Sequence, residues 1–408
     1  MEVFRRLSLD SDVAIKSTRS TFLLIETGAL YACGDNSYGQ LGLGDRQERS
    51  TLTRMPLDES VKTIATGNKS TFVLTRSGAL YACGDNRNGQ LGLGDNENRS
   101  TLTRVPLQEK AGEVVVDDYD STFVITVSGT LYACGENYYG QLSLGDDSNR
   151  STLTRVPLEE NAKTVVTIDY STYVLTRSGA LYACGNNEHG QLGLEDNLNP
   201  STLRRVLIDE SVKTIAIDNG SAFFLTVSGT LYACGYNFCG QLGLGDDSKR
   251  RTLQRVPLEE DAKTVVTGEY SSFVLAISGM FYACGTNYCG QLGLGCSWNS
   301  STLRRVPLEE SVKTVTIGNS SIYVLARSGA LYACGYNRYC QLGFGDSQSR
   351  STLQRVPLEE SVTAVAIGIN FAVVLGVSGA LYACGDNAHG QLGLGDEEAR
   401  SVFTVVTI

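Results

Sequence analysis

Histidine and tryptophan are nearly missing from this chain, with two and one in 408 residues. The histidines, His189 and His389, occupy equivalent loop positions four copies apart in a repeat, so they cannot share a metal or a catalytic triad. No Cys-x-x-Cys pair and no spaced Asp-x-Asp-x-Asp loop is present, which removes the common zinc and calcium signatures. Glycine motifs for phosphates or dinucleotides are absent in their strand-to-helix context. Neither a metal nor a cofactor is expected. Basic charge is short as well: 34 Lys and Arg against 44 Asp and Glu leave a formal charge of −10. Direct nucleic-acid binding needs a basic footprint and is disfavoured. Lys249-Arg250-Arg251 reads as a solvated loop. No apolar run approaches the ~18 residues of a membrane span. Met1 to Asp10 carries Glu2, Arg5 and Arg6 and has no signal-peptide core, so a cytoplasmic or nuclear setting is expected rather than secretion.

What the chain does have is internal repetition. Tyr-Ala-Cys-Gly begins at Tyr31, Tyr81, Tyr132, Tyr182, Tyr232, Tyr282, Tyr332 and Tyr382, in steps of 50 residues with one step of 51. Such a period marks an array of supersecondary units that bury their apolar faces only by stacking. Eight of the twelve cysteines lie in this tetrapeptide, each ending an apolar strand-like run. They read as small buried hydrophobes in a reducing compartment. The other notable cysteines, Cys239, Cys289 and Cys340, have no histidine near them in the loops and no ligand spacing.

One copy, 58–107, reads as four strands. Val61–Ala65 ends at the Gly67-Asn68 turn, and Ser70–Thr75 closes at Ser77-Gly78. Ala79–Cys83 is the third, and after a loop from Gly84 to Asn98, Thr101–Val105 is the fourth. Asn86 and Gln90 recur in every copy and are expected to bond backbone within the loop. Four short antiparallel strands per unit predict an all-β fold, a β-propeller of four-stranded blades. A helical solenoid is excluded because no segment has three-and-four apolar spacing. The blades are placed at 10–57, 58–107, 108–158, 159–208, 209–258, 259–308, 309–358 and 359–408 as one domain, eight being preferred to seven with a displaced terminal segment. Both Val3–Leu7 within 1–9 and Val402–Val406 could supply a closing outer strand.

A charge pair four residues apart recurs in six loops, as Asp45/Arg49, Asp95/Arg99, Asp146/Arg150, Asp246/Arg250, Asp346/Arg350 and Asp396/Arg400. A local clasp is the simplest reading, worth ~0–1 kcal/mol. Copy four has Pro200 in place of the Arg and copy six has Cys296 and Ser300, so those loops should differ in shape.

Gly34-Asp35-Asn36-Ser37-Tyr38-Gly39-Gln40-Leu41-Gly42-Leu43-Gly44-Asp45 resembles the regulator of chromosome condensation repeat family, and copies at Gly84–Asp95 and Gly385–Asp396 match equally well. The resemblance covers essentially the whole chain and implies a β-propeller, usually of seven blades. The family usually has Trp where Cys33 and its equivalents stand and His near Ser70. Light sensing through clustered tryptophans, known in one plant member, is not expected with Trp298 alone. The founding member is a nucleotide exchange factor for the GTPase Ran and docks on chromatin, with a wedge inserted in one blade. Here the only extra residue falls around Lys110-Ala111-Gly112.

The two faces differ in sequence. The Pro-Leu-Glu-Glu turns, with Glu159-Glu160, Glu259-Glu260, Glu309-Glu310 and Glu359-Glu360 followed by Lys163, Lys263 and Lys313, suggest a solvated, partly self-neutralised surface. The opposite face varies. Between the recurring Asn and Gly lie Tyr38, Tyr138, Tyr139, His189, Phe238, Tyr288, Tyr339 and His389, with Trp298 in the copy-six loop. Asp35, Asp85, Glu136, Asp118, Asp120 and Asp169 add an acidic arc beside this aromatic sector. Exposed aromatics on rigid loops suit partner binding, and packing against the next blade is the competing role. An acidic face would steer a basic protein patch. The expected function is a non-catalytic protein-interaction scaffold. The alternative, from the resemblance, is an exchange factor for a Ran-like GTPase contacted by carboxylates such as Asp118, Asp120 or Asp169.

Overall fold

The computed structural model describes residues 14–17, 19–25, 27–117 and 119–407. It is a β-propeller of eight blades, each a four-stranded antiparallel sheet in chain order. In blade 1 the strands are Ala14–Ser17, Ser20–Leu24, Leu30–Gly34 and Arg49–Arg54. In blade 2 they are Val61–Thr66, Ser70–Thr75, Leu80–Gly84 and Arg99–Arg104. Blades 3 to 8 repeat the plan from Ala111, Ala162, Val212, Ala262, Val312 and Val362 onward. No described residue is helical.

Register explains the burial. The second strand pairs Ser70 with Gly84 and Leu74 with Leu80, and every residue of Ser70–Thr75 is buried because both of its faces meet other blades. The fourth strand is different: Arg99–Arg104 is only half-buried, with Thr101 and Arg104 exposed. Burial on both faces therefore holds for the middle pair of strands and fades at the rim. The physical reason is geometric, since wedges diverge away from the axis and leave the outer strand partly in water.

Cores form between blades rather than within them. Phe72, Leu74, Leu80 and Val105 of blade 2 pack with Val114 and Val124 of blade 3. At ~1.5–3 kcal/mol per large buried apolar side chain, these interfaces dominate the favourable side of folding. Each Tyr-Ala-Cys-Gly cysteine adds a thiol contact to the glutamine carbonyl of the preceding blade, 3.1 Å for Cys234 to Gln191 and 3.8 Å for Cys334 to Gln291. Burial pushes the Cys33 and Cys184 thiols up to about 12, so these are inert packing groups.

The ring seam repeats this joint. Leu23 of blade 1 shares a core with Phe371, Leu381 and Val406 of blade 8. Cys33 reaches the Gln391 carbonyl at 3.7 Å, and Thr51 bridges Leu394 as Thr101 bridges Leu43. Arg400–Val406 fills the outer slot of blade 8, so each blade is made from one continuous segment. Eight complete repeats thus give eight complete blades. The proposed terminal strand at 1–9 lies outside the described residues.

The Glu-rich face is organised differently from expectation. The second glutamate of each turn is clasped by hydroxyls: Glu59 accepts from Tyr81 and from Ser77, both at 2.7 Å, and Glu360 accepts from Tyr382 at 2.6 Å and Ser378 at 2.8 Å. The Tyr81 hydrogen bond holds the Glu59 carboxyl below its ordinary range and raises the Tyr81 hydroxyl. Among the described residues, Lys163, Lys263 and Lys313 form no ion pair with these glutamates. Hydroxyl donors, not lysines, meet their charge.

Candidate variable-loop face

The long loop of each blade is held by two buried amides. Asn86 is fully buried. Its Nδ2 donates to the Asp95 carbonyl at 2.9 Å and its Oδ1 accepts from the Leu91 amide at 2.9 Å. Gln90 Oε1 accepts from the Asn88 amide at 2.9 Å. This bracket, anticipated from the recurrence of both residues, fixes the two residues between Asn and Gly at the surface. All six Asp/Arg pairs form, at 2.5–2.6 Å. Where Pro200 replaces the arginine, Asp196 turns to Arg204 at 2.8 Å and the outer strand shrinks to Arg204–Val206. Ser300 of blade 6 instead bonds the Thr302 carbonyl at 2.8 Å.

Turns between first and second strands form a second ring near the axis, on the same side. They interlock from blade to blade. Thr167 donates to Asp117 at 3.2 Å, the Tyr270 amide to Asp218 at 2.9 Å, Ser320 to Glu269, and Asn319 to Asn370 at 2.9 Å. Asn88 bridges two acids of blade 3, Asp120 at 3.1 Å and Glu136 at 2.9 Å. Burial, then Asp85, raises the Asp120 carboxyl, and burial, then Asp120, raises Glu136. Burial also lifts Asp169, and takes Asp218 to about 6. The mouth is therefore lined with crowded carboxyls.

Not every expected acid contributes. Asp85 is buried and held by Arg87, with Nε 2.9 Å from Oδ1 and Nη2 2.7 Å from Oδ2. Asp35 is buried and accepts from the Ser37 amide at 2.9 Å. Both are loop-internal groups rather than surface charges. Asp118 lies outside the described residues. Asp120, Glu136 and Asp169 are left as the acidic candidates that the structure gathers on blades 3 and 4.

The aromatics divide in the same way. Tyr138, Phe238, Tyr288 and Trp298 are 71%, 72%, 73% and 81% exposed. Tyr339 is exposed and sits beside Tyr336, ring centroids 6.3 Å apart. Tyr38 is half-buried and covered by Lys69, 4.4 Å from its centroid, and Arg87 at 5.1 Å. His389 contacts Glu48 at 3.0 Å, while His189 packs on Tyr236 at 5.0 Å. Cys239, Cys289 and Cys340 are half-buried free thiols, and no group of three His, Cys, Asp or Glu side chains among the described residues has metal-binding geometry.

Three aromatic participants escaped the sequence reading: Tyr119, Tyr170 and Tyr270. Tyr138, Tyr139, Tyr170 and Tyr119 form a ladder with centroid spacings of 5.1, 4.9 and 4.3 Å. Burial and then Glu136 push the Tyr170 hydroxyl up to about 12, which places the ladder within the acidic arc rather than beside it. Turn chemistry carried the signal. Asp169 and Tyr170 have φ of 49° and 62°, and Glu269 and Tyr270 have 48° and 61°, in hairpin slots that favour Asn-Gly. Blade 5 has that pair, Asn219-Gly220, and there a Cβ at Gly220 would stand 2.9 Å from the His189 ring. Two bulky left-handed residues cost roughly 1–3 kcal/mol each. Replacing Glu269-Tyr270 by Asn-Gly should raise the urea midpoint, by about 1 kcal/mol in stability after loss of the Tyr270–Tyr236 contact and the Ser320–Glu269 hydrogen bond. A lowered midpoint would show that the tyrosine is there for packing.

Comparison with known proteins agrees with this architecture. Residues 121–408 match the RCC1-like domain model, and residues 27–74 and 77–115 match the regulator of chromosome condensation (RCC1) repeat. Prp20p of Saccharomyces cerevisiae, solved in a study of its binding properties to Gsp1p and histones, is 20% identical, with a TM-score of 0.66 over 89% of this chain and 92% of that one. Human WBSCR16 is 19% identical, with a TM-score of 0.61 over 93% and 94%. Yeast RCC1 (Prp20) bound to Kap60 gives 18% identity and a TM-score of 0.65 over 90% and 92%. At these identities the likeness is one of fold. The family match across well over half its length places this chain in the regulator of chromosome condensation (RCC1) repeat family.

Proposed function

We propose that this propeller is a non-catalytic protein-binding module that engages a basic partner through its variable-loop face. One observation carries the reading: among the described residues the exposed aromatic rings, Tyr138, Phe238, Tyr270, Tyr288, Trp298 and Tyr339, all lie in the loops and turns of this one face. Asp120, Glu136 and Asp169 add crowded carboxyls to the same face on blades 3 and 4, while the opposite face carries the Glu–hydroxyl clasps and exposed aliphatics such as Val127, Leu207 and Ile277 but no exposed aromatic ring among the described residues. Carboxylates in low-dielectric surroundings attract lysine and arginine strongly, and rigid aromatics supply contact area at low entropic cost. A cytoplasmic or nuclear setting suits the eight buried thiols of the repeat.

A second reading, exchange factor for a Ran-like GTPase, draws support from the fold likeness to a yeast protein studied for its binding to Gsp1p. Two assays separate them. Capture of a partner from cell extract should fall at least fivefold for a Tyr138/Tyr288/Tyr339 triple alanine variant and be unchanged for Glu159→Ala with Glu309→Ala. Equal capture by both variants would remove the proposed face. Accelerated release of labelled GDP from a small GTPase, lost on Asp120→Ala with Asp169→Ala, would favour the second reading over the first.

A further inference from the structure

Blade 4 is where the ring departs most from its own repeat, and the departure opens a cavity. Glu195 takes a left-handed conformation, φ 68°, at a position where other blades have glycine, and Pro200 replaces the clasp arginine. Five Leu–Thr bridges and the equivalent Phe344–Val402 bridge join six neighbouring pairs of blades, but among the described residues none joins blade 4 to blade 3 or blade 5. Residues 200–203 thereby leave the outer strand. Between them and blade 3 lies a cavity of about 380 Å³ lined by Tyr138, Tyr139, Asp146, Asp147, Asn199 and Ser201.

Its chemistry is one-sided. At joints such as 1/2, 2/3, 4/5 and 6/7, the residue packed beside the Asn-x-x-Gly glycine follows an arginine: Arg99, Arg150, Arg250 or Arg350. Here Ser201 packs against Gly140 and follows Pro200, so blade 4 brings no cation to the wall. Asp146 is already held by Arg150 at 2.6 Å, whereas Asp147 is exposed and has no ion-pair partner among the described residues. Tyr138 stands 71% exposed, and Tyr139 is fixed from behind by Tyr170 at 4.9 Å. An open carboxylate next to rigid tyrosine faces is the environment that attracts a guanidinium or ammonium group. We infer that this cavity receives an arginine or lysine side chain of the protein partner, a cation standing near where the repeat's own arginine is missing. The inference rests on the face reading above and narrows it to one anchor.

The probe is a fluorescein-labelled peptide Gly-Arg-Gly-Arg-Gly, compared with its lysine and citrulline counterparts by fluorescence anisotropy. Citrulline keeps the shape and removes the charge, so the citrulline peptide should bind about tenfold or more weakly. Asp147→Asn and Tyr138→Ala, both at exposed positions, should each weaken the arginine peptide by about fivefold. Glu397→Gln, the corresponding loop position of blade 8, should leave binding unchanged. Equal loss with Glu397→Gln, or equal binding of the citrulline peptide, would overturn the cavity. Loss with Asp120→Asn but not with Asp147→Asn would also overturn it while sparing the face. No binding by the wild type, with capture intact in the triple alanine variant, would overturn both.

Discussion

Gly135→Ala should cost about 3–5 kcal/mol and strip the protein of soluble expression at 37 °C, or lower its urea midpoint sharply. Two effects combine at this position. Its φ of 98° lies beyond the left-handed well that any other residue can occupy cheaply, and an added Cβ would stand 2.0 Å from the Asp120 carbonyl oxygen. That carbonyl cannot retreat, because it accepts the Glu136 amide at 3.0 Å and belongs to the mouth turn. Gly145→Ala is the internal control: its φ is 90°, yet nothing lies within 4 Å of its Cβ. It should cost only the backbone strain, roughly 1–3 kcal/mol. Equal destabilisation by the two substitutions would mean that contact with the turn contributes nothing. The other Tyr-Ala-Cys-Gly glycines share the arrangement, as Gly185 does against the Tyr170 carbonyl at 2.1 Å.

The second large effect is expected at the buried loop amides. Asn237 is fully buried, donates to the Asp246 carbonyl at 2.9 Å and the Ser248 carbonyl at 3.1 Å, and accepts from the Leu242 amide at 2.8 Å. Alanine there leaves an N–H and two carbonyls facing a void too tight for easy hydration. At ~1–3 kcal/mol for each stranded group, the loss should reach about 3–5 kcal/mol. Asn237→Asp is the sharper test, since it keeps the shape and the acceptor but sets an anion against two carbonyl oxygens. It should be at least as damaging as alanine at pH 7, in urea midpoint and in loop amide-exchange protection. A well-tolerated aspartate would show that shape rather than donation holds the loop.

Both positions were legible from recurrence alone, because a residue needed by every copy is visible eight times over. The Asp/Arg clasp, present in six copies, and the strand order were legible in the same way. Other features were not legible. Asp85 looks like a surface acid until Arg87 folds back over it, which its i+2 spacing does not announce. The glutamates of the opposite face look solvated until Ser77 of the hairpin turn and Tyr81 of the third strand, 18 and 22 residues on, converge on Glu59. Arg204 takes over Asp196 only because Pro200 removes the nearer partner. Tyr170 and Tyr270 gave a faint signal, a bulky residue in a turn built for glycine, that becomes decisive once φ is known.

By itself the sequence determined the unit, a four-stranded blade with a bracketed loop repeated eight times, while the ring seam decided for eight blades over seven. The unit is a local matter, set by strand pairing and hydrogen bonds within some 50 residues. Tertiary structure alone decided which variable side chains face water. Stacking around the ring sets each loop against the next blade, 48 residues away where Asn88 meets Glu136 and 341 residues away where Glu48 meets His389 across the seam. A side chain's exposure depends on that neighbour, and no periodicity within one copy contains it.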